Sequence, residues 1–206
     1  MRPTDRKIYL ASKSPRRREL LRQIGVEFEL LLLRDRAPVG PEFSEDVLPG
    51  EAPLNYVVRV ASDKASFAQQ TMLWRKLPTR PVLAADTTVV LDGRILGKPA
   101  NLAEAVTMLT ALSGRTHQVH TSIAVRHREE VWQCTQTSDV AFMQIPEEQI
   151  HAYCASSEPY DKAGGYAIQG MASLFIREIR GSYSGVMGLP LFETAQLLQQ
   201  AGLKIL

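Results

Sequence analysis

Lys7-Ile8-Tyr9-Leu10-Ala11-Ser12-Lys13-Ser14-Pro15-Arg16-Arg17-Arg18-Glu19-Leu20-Leu21 reads as a short apolar strand, a polar turn and the start of a helix. Ser14 is placed to cap that helix, and Pro15 suits its first position, where no N–H partner is needed. Leu20, Leu21 and Ile24 fall on one face, and Gly25 stops the helix. Three arginines occupy the first turn, where the macrodipole disfavours a cation by roughly 0.3–1 kcal/mol. Folding gains nothing from that placement, whereas an anion docked on the free N–H groups of the turn gains a great deal. Arginine's planar fork of donors suits phosphate oxygens. The segment therefore predicts a phosphate site at Ser12, Ser14, Arg16 and Arg17, with Arg18 left as surface charge.

Phe28 to Leu33 reads as a second strand, and residues 34–53, rich in proline, glycine and acids, as a loop. Leu54 to Gln70 has helical spacing, with Lys64 near its apolar stripe. Pro81 to Leu91 is a strand-like apolar run, and Asp92-Gly93 predicts a hairpin returning over Arg94 to Gly97. Asn101 and Glu104 open a helix with a capping-box pattern, which ends at Ser113-Gly114. Thr116–Arg126 and Glu130–Ile145 read as long antiparallel strands, and Pro146–Ala155 as a short helix. Asp161–Gly170 reads as a glycine-rich loop, Leu174–Ile179 as a strand, Ser182–Gly188 as a small-residue loop and Pro190–Ala201 as a closing amphipathic helix. Strands interleaved with helices predict one α/β domain over residues 1–206, with a mixed sheet bent into two lobes around a cleft.

The chain has 206 residues, 45% hydrophobic and 22% charged, enough for a core without staples. A net charge of +2 excludes the global basic field of a nucleic-acid binder, so any basic site is local. Cys134 and Cys154 make neither a disulfide framework nor a metal spacing. No apolar run approaches the roughly 20 residues of a membrane span, and Met1 to Arg6 lack a signal-peptide pattern; the expected compartment is the cytoplasm.

The chemistry is carried by few residues. Asp86 lies inside Val82-Leu83-Ala84-Ala85-Asp86-Thr87-Thr88-Val89-Val90. A carboxylate buried there costs several kcal/mol unless it is paired or binds a metal, which makes Asp86 the candidate metal ligand or general base. The hairpin brings Lys98 back toward it. Lys64 reads equally as a snorkelling surface lysine and as a cation reaching the site. In the glycine-rich loop, Gln169 can donate to and accept from a base edge. His117 and His120 fall on opposite strand faces and cannot easily share a metal. No P-loop, dinucleotide or nucleophile-elbow motif occurs.

Together, Leu10-Ala11-Ser12-x-Ser14-Pro15-Arg16-Arg17, Tyr56-Val57-x-Arg59-x-Ala61-x-x-Lys64-Ala65, Ala85-Asp86-Thr87, Gly97-Lys98-Pro99, Leu112-Ser113-Gly114-x-Thr116-His117, Asp161-Lys162-Ala163-Gly164-x-Tyr166-x-Ile168-Gln169-Gly170 and Gly188-Leu189-Pro190 resemble the Maf family of nucleotide pyrophosphatases, in family order over nearly the whole chain. The resemblance implies an elongated α/β fold, often dimeric. It implies hydrolysis of nucleoside triphosphates between the α- and β-phosphates, with a divalent metal such as Mg²⁺ or Mn²⁺. By match, Asp86 is the catalytic acid, and Ser12, Arg16, Lys64 and Lys98 line the phosphate cleft. Arg16, Thr87 and Gln169 match the positions that mark the dTTP/UTP branch. The family's acidic pair after the second strand is replaced by Arg34-Asp35-Arg36-Ala37; Asp35 is the candidate second metal ligand, with Glu42 and Glu45 as alternatives. Two rivals remain: a nucleotide-binding regulator of division with weak or lost catalysis, and a single-stranded RNA binder. The near-neutral charge and missing aromatic series count against the second.

Overall fold

The apolar triplet Ile8–Leu10 forms β1 and leads into α1 over Pro15–Gln23. Ser14 caps α1, its hydroxyl accepting from the Arg17 N–H at 3.5 Å, and Pro15 takes the first position. A computed structural model describes residues 7–32 and 44–205. After α1 come β2 (Phe28–Leu30), α2 (Pro53–Trp74), β3 (Val82–Leu91), β4 (Arg94–Leu96), α3 (Leu102–Leu112), β5 (Thr116–His127) and β6 (Glu130–Phe142). α4 (Glu147–Cys154), β7 (Ile176–Arg180), α5 (Tyr183–Met187) and α6 (Leu191–Gln200) complete the order. Short 3-10 turns at Pro159–Asp161, Ala163–Gly165 and Met171–Phe175 fill the stretch between α4 and β7. Asp35 and Glu42 lie outside the described residues.

The strands form one seven-stranded mixed sheet in the order β2-β1-β3-β5-β6-β7, with β4 on the C-terminal end of β3. β1 pairs in parallel with β2 and β3, and the other described pairings are antiparallel. In the β3–β5 register, Asp86 stands opposite Ser122 and Thr87 opposite Thr121.

Alternation along β3 sends its side chains to two layers. Val82 and Ala84 pack with Tyr9, Ala11 and Ala124 against Ala65, Ala68 and Met72 of α2. Leu83 and Ala85 join Ile8, Leu10, Ile123 and Val125 beneath Leu20 and Leu21 of α1 and Leu197 and Leu198 of α6. Beyond Asp86-Thr87-Thr88, Val89 and Leu91 enter another core, with Val119, Val140 and Phe142 under Leu109 and Leu112 of α3 and Ile150 and Tyr153 of α4. One sheet thus serves two lobes. The polar triplet of β3 falls where one set of covering helices ends and the next begins, which is where the cleft opens.

Most expected elements are present, with shifted ends. α2 continues past Gln70 to Trp74, because nothing breaks it before Lys76 turns left-handed at φ 51°. β2 ends at Leu30 instead of Leu33, and β6 at Phe142 instead of Ile145. β7 begins at Ile176, after a 3-10 turn. Asn101 caps α3 by accepting the Glu104 N–H at 3.0 Å, while Glu104 reaches back to the Ala100 N–H, one residue before the cap. Ser182–Gly188 is a correction: it forms the helix α5, not a loop. The Ser182 hydroxyl accepts the Gly185 N–H at 3.0 Å and nucleates the turn.

Candidate active site

A cavity of about 710 Å³ lies between the lobes, and it is lined by every expected site residue among those described: Ser12, Arg16, Arg17, Lys64, Asp86, Thr87, Lys98 and Gln169. Asp86 projects from mid-β3 on the α2 side and is only 7% exposed. Its burial is compensated by Lys64 of α2, whose Nζ donates to Asp86 Oδ1 at 2.7 Å. Lys64, read from sequence as surface or site, is thereby in the site. The same ammonium lies 3.0 Å from Glu45 Oε1. Two carboxylates, one on β3 and one on the segment before α2, thus converge on one cation. The Tyr56 hydroxyl is pushed up to about 12, by burial first and then by the charges of Asp86 and Glu45, so it remains a donor.

Thr87 points to the other face, toward α1 and α5. There Arg17 turns inward and spends four N–H groups on the protein. Nε donates to the Gly188 carbonyl at 2.7 Å, Nη1 to the Ala85 carbonyl at 2.8 Å and Ser12 Oγ at 3.3 Å, and Nη2 to Thr87 Oγ1 at 3.1 Å. Burial pulls its pKa down, and the charge of Asp86 pulls it back up. Thr121 Oγ1 sits 2.9 Å from Thr87 Oγ1 and 2.8 Å from the Gly185 carbonyl. A hydroxyl has one proton and the carbonyl can only accept, so the Thr121 proton goes to Gly185 and the Thr87 proton to Thr121. Thr87 then meets the cleft as an acceptor. Gly188, at φ 112°, lets its carbonyl reach Arg17; a Cβ there would press on Thr87 Oγ1 and Arg17 Nε at 3.4 Å.

Across the cavity, Arg16 Nη1 lies 3.6 Å from Asp161 Oδ2, joining the α1 wall to the glycine-rich loop. Lys98 stands exposed after β4, with no ion pair among the described residues. Gln169 is exposed on the cavity rim. Its loop is docked by Gly164, whose position a Cβ would contest at 2.9 Å from both γ-carbons of Val89. It is docked again by Tyr166, whose hydroxyl lies 2.7 Å from His117 Nε2 in the distal core. Burial lowers the His117 pKa to about 4, so it stays neutral.

Thr121 drew no attention in the sequence, and Arg59 stood there only as one position of the segment over residues 56–65, with no role of its own. Arg59 lies on α2 beside the site and makes a bidentate pair with Glu51, at 2.7 and 2.9 Å. Thr121 sits between His120 and Ser122, polar neighbours among which its hydroxyl carries no signal of its own. Among the described residues no group of three or more His, Cys, Asp or Glu is arranged to hold a metal. No described helix is long and apolar enough to cross a membrane.

Comparison with known proteins agrees with this architecture. The fold is that of the Ham1 protein of Staphylococcus aureus, at TM-score 0.50 and 13% identity, over 95% of this chain and 99% of that one. A curated relative named dTTP/UTP pyrophosphatase from Aromatoleum aromaticum is 51% identical over 203 residues, covering 98% of both chains. One of the same name from Nitrosomonas europaea is 50% identical over 203 residues, again 98% of each. A third so named, from Nitrosospira multiformis, is 52% identical over 201 residues, 98% of this chain and 97% of its own. The model of Maf-like proteins matches residues 7–201, and with relatives at this identity over nearly the full length, the chain belongs to the Maf family.

Proposed function

We propose that this protein hydrolyses dTTP and UTP between the α- and β-phosphates, giving the nucleoside monophosphate and pyrophosphate. The observation that carries the reading is the convergence of Asp86 and Glu45 on Lys64, inside a cleft also lined by Arg16 and Lys98. The names of the curated relatives support the same substrates. The division-regulator rival drew its strength from the missing second carboxylate, and the Glu45 carboxylate 3.0 Å from Lys64 supports the catalytic reading against it.

Two hard-oxygen carboxylates on one positive centre fit a divalent cation that takes its remaining ligands from substrate phosphates and water, the usual habit of Mg²⁺. Asp86 and Glu45 would hold it, and when bound it neutralises charge on the phosphate oxygens. Asp86 orients the attacking water in line with the α-phosphorus and takes its proton. Arg16, Lys64 and Lys98 stabilise the charge that grows on the phosphate and pyrophosphate oxygens. Ser12 and Arg17 set the floor of the phosphate cleft. Thr87, reaching the cleft as an acceptor, matches the N3–H shared by uracil and thymine and absent from cytosine, while the Gln169 amide reads a neighbouring carbonyl. The family likeness also supports a cytoplasmic homodimer, which sedimentation of the purified chain and fractionation of its source cells would read.

The test is pyrophosphate release across the standard nucleoside triphosphates with added Mg²⁺ or Mn²⁺. dTTP and UTP are expected to be cleaved, with CTP disfavoured by a factor of about 10–200, the worth of one or two hydrogen bonds to a base edge. Asp86→Asn is expected to lower kcat by roughly 10²–10⁴ with an unchanged circular dichroism spectrum. Normal turnover by that variant would sink the assignment.

A further inference from the structure

We infer that Arg59 is a positioning residue that, together with the Tyr56 hydroxyl, holds the backbone at Glu45 so that its carboxylate meets Lys64 in the cleft. This rests on reading the cleft as a nucleotide pyrophosphatase site. Residues 44–50 are all exposed and belong to no helix or strand. A glutamate on such a stretch has many conformations to lose before it can serve a site. Yet three consecutive carbonyls of this stretch are bound by side chains of α2. The Ser44 carbonyl accepts from Arg59 Nη1 at 3.3 Å, that of Glu45 from the Tyr56 hydroxyl at 3.0 Å, and that of Asp46 from Arg59 Nη2 at 2.9 Å. Ser44 Oγ accepts the Asp46 N–H at 3.0 Å, so the segment also braces itself.

Arg59 is in turn fixed from its other side. Glu51 takes its Nε and Nη2 hydrogens, and the same Glu51 carboxylate accepts the Leu48 N–H at 3.1 Å. Asp63, one turn along α2, lies 3.6 Å from Nη1. The pairing with Arg59 drags the Glu51 carboxyl down to about 2, so the ion pair persists at any working pH. The guanidinium fork therefore makes four hydrogen bonds and one ion pair in fixed directions, which the point charge of a lysine cannot reproduce. Tyr56 and Arg59 are three residues apart on the helix that also carries Lys64. One helix thus presents the ammonium and fixes the loop whose carboxylate meets it.

The test is a pair of double-mutant cycles, Arg59→Lys and Tyr56→Phe each against Glu45→Gln. Tyr56→Phe removes one hydroxyl and leaves the ring, so it stays informative if Arg59→Lys folds poorly. Displacing a reacting group by about 1 Å can cost about 10²-fold. Arg59→Lys is expected to approach that loss in kcat on UTP, and Tyr56→Phe to lose several-fold, with KM changed less than kcat. In the Glu45→Gln background neither substitution should lower kcat further. Two readouts need no turnover. Mn²⁺ titration of the nucleotide-free protein by electron paramagnetic resonance should show weaker binding in Arg59→Lys and Glu45→Gln, and no additional weakening in the double variant. Amide exchange over residues 44–48 should speed up in Arg59→Lys and Tyr56→Phe. Wild-type kcat and Mn²⁺ affinity in Arg59→Lys, additive losses in the doubles, or full activity in Glu45→Gln would each overturn the inference. If the wild type released no pyrophosphate from any nucleotide, the functional reading would fail by itself, and the Mn²⁺ titration and exchange rates would still decide the clamp.

Discussion

Arg17 shows how one residue can satisfy two demands. Its position in the first turn of α1 is electrostatically poor, and a docked anion is one remedy. The fold supplies another, because the guanidinium is tied to Gly188, Ala85, Ser12 and Thr87. Arg17→Lys keeps the charge and loses the fork, leaving buried carbonyls short of donors. A stability loss of about 2–3 kcal/mol is expected, read as a lower urea midpoint at constant m-value. His117 offers a pH-dependent check. Its pKa is about 4 when folded against 6.5 when unfolded. Between those values the unfolded chain binds the extra proton, so stability rises with pH across the window. The contribution is whole above pH 6.5 and is lost toward pH 4, by roughly 3 kcal/mol at most. Denaturant unfolding at pH 4.5 and 7.5 should show this slope in the wild type and a flatter one in His117→Gln.

At the scale of elements, distance from the cleft separates substitutions that cost stability from those that cost function. α3 packs against α4 and the Ala163–Gly165 turn and contributes no side chain to the cavity lining, and Asn101→Ala removes its cap. The expected loss is about 1 kcal/mol of stability with kcat on UTP unchanged. Gly164 sits on the loop that carries Gln169, at φ 71° and with no room for a Cβ beside Val89. Gly164→Ala forces a left-handed alanine and pushes the loop off the sheet, at about 1–3 kcal/mol. Here the Michaelis constant should rise as well, since the displaced segment carries Gln169, the side chain proposed to read the base. If steady-state kinetics showed KM unchanged in Gly164→Ala, the loop would not be reading the base. The strand ends that shifted by two or three residues, such as β2 and β6, are places where an apolar run continues beyond its last pairing partner. Periodicity alone has no means to see where the partner stops.

At the scale of the molecule, the cleft is the junction of two cores on one sheet, so a ligand that bridges it should tie both lobes. A non-hydrolysable α,β-imido analogue of UTP, at one hundred times its dissociation constant, should raise unfolding stability by about 2.7 kcal/mol. The CTP analogue at equal concentration should raise it less, and equal shifts in a thermal melt would remove the base discrimination argued from Thr87. With a net charge of only +2, binding is governed by the local cations of the cleft. Moderate salt should therefore weaken nucleotide affinity far less steeply than it weakens a nucleic-acid interface.

Much of this protein was determined by its sequence alone. The strand–turn–helix at residues 7–24, the acid inside β3, the Asp92-Gly93 hairpin and the capped α3 are local, and their periods and turn chemistry act over a few residues. Asp86 stood out because an unpaired carboxylate in an apolar strand is costly wherever that strand ends up. Tertiary structure decided the rest. It chose Lys64 as the partner of Asp86, 22 residues away, and gave Arg17 acceptors 68 and 171 residues along the chain. It set Glu45 3.0 Å from Lys64, a proximity that no spacing in the sequence gives. It made Ser182–Gly188 a helix whose carbonyls serve Arg17 and Thr121. Those choices depend on which surfaces the two lobes bring face to face, and a one-dimensional pattern carries no record of distances between residues so far apart.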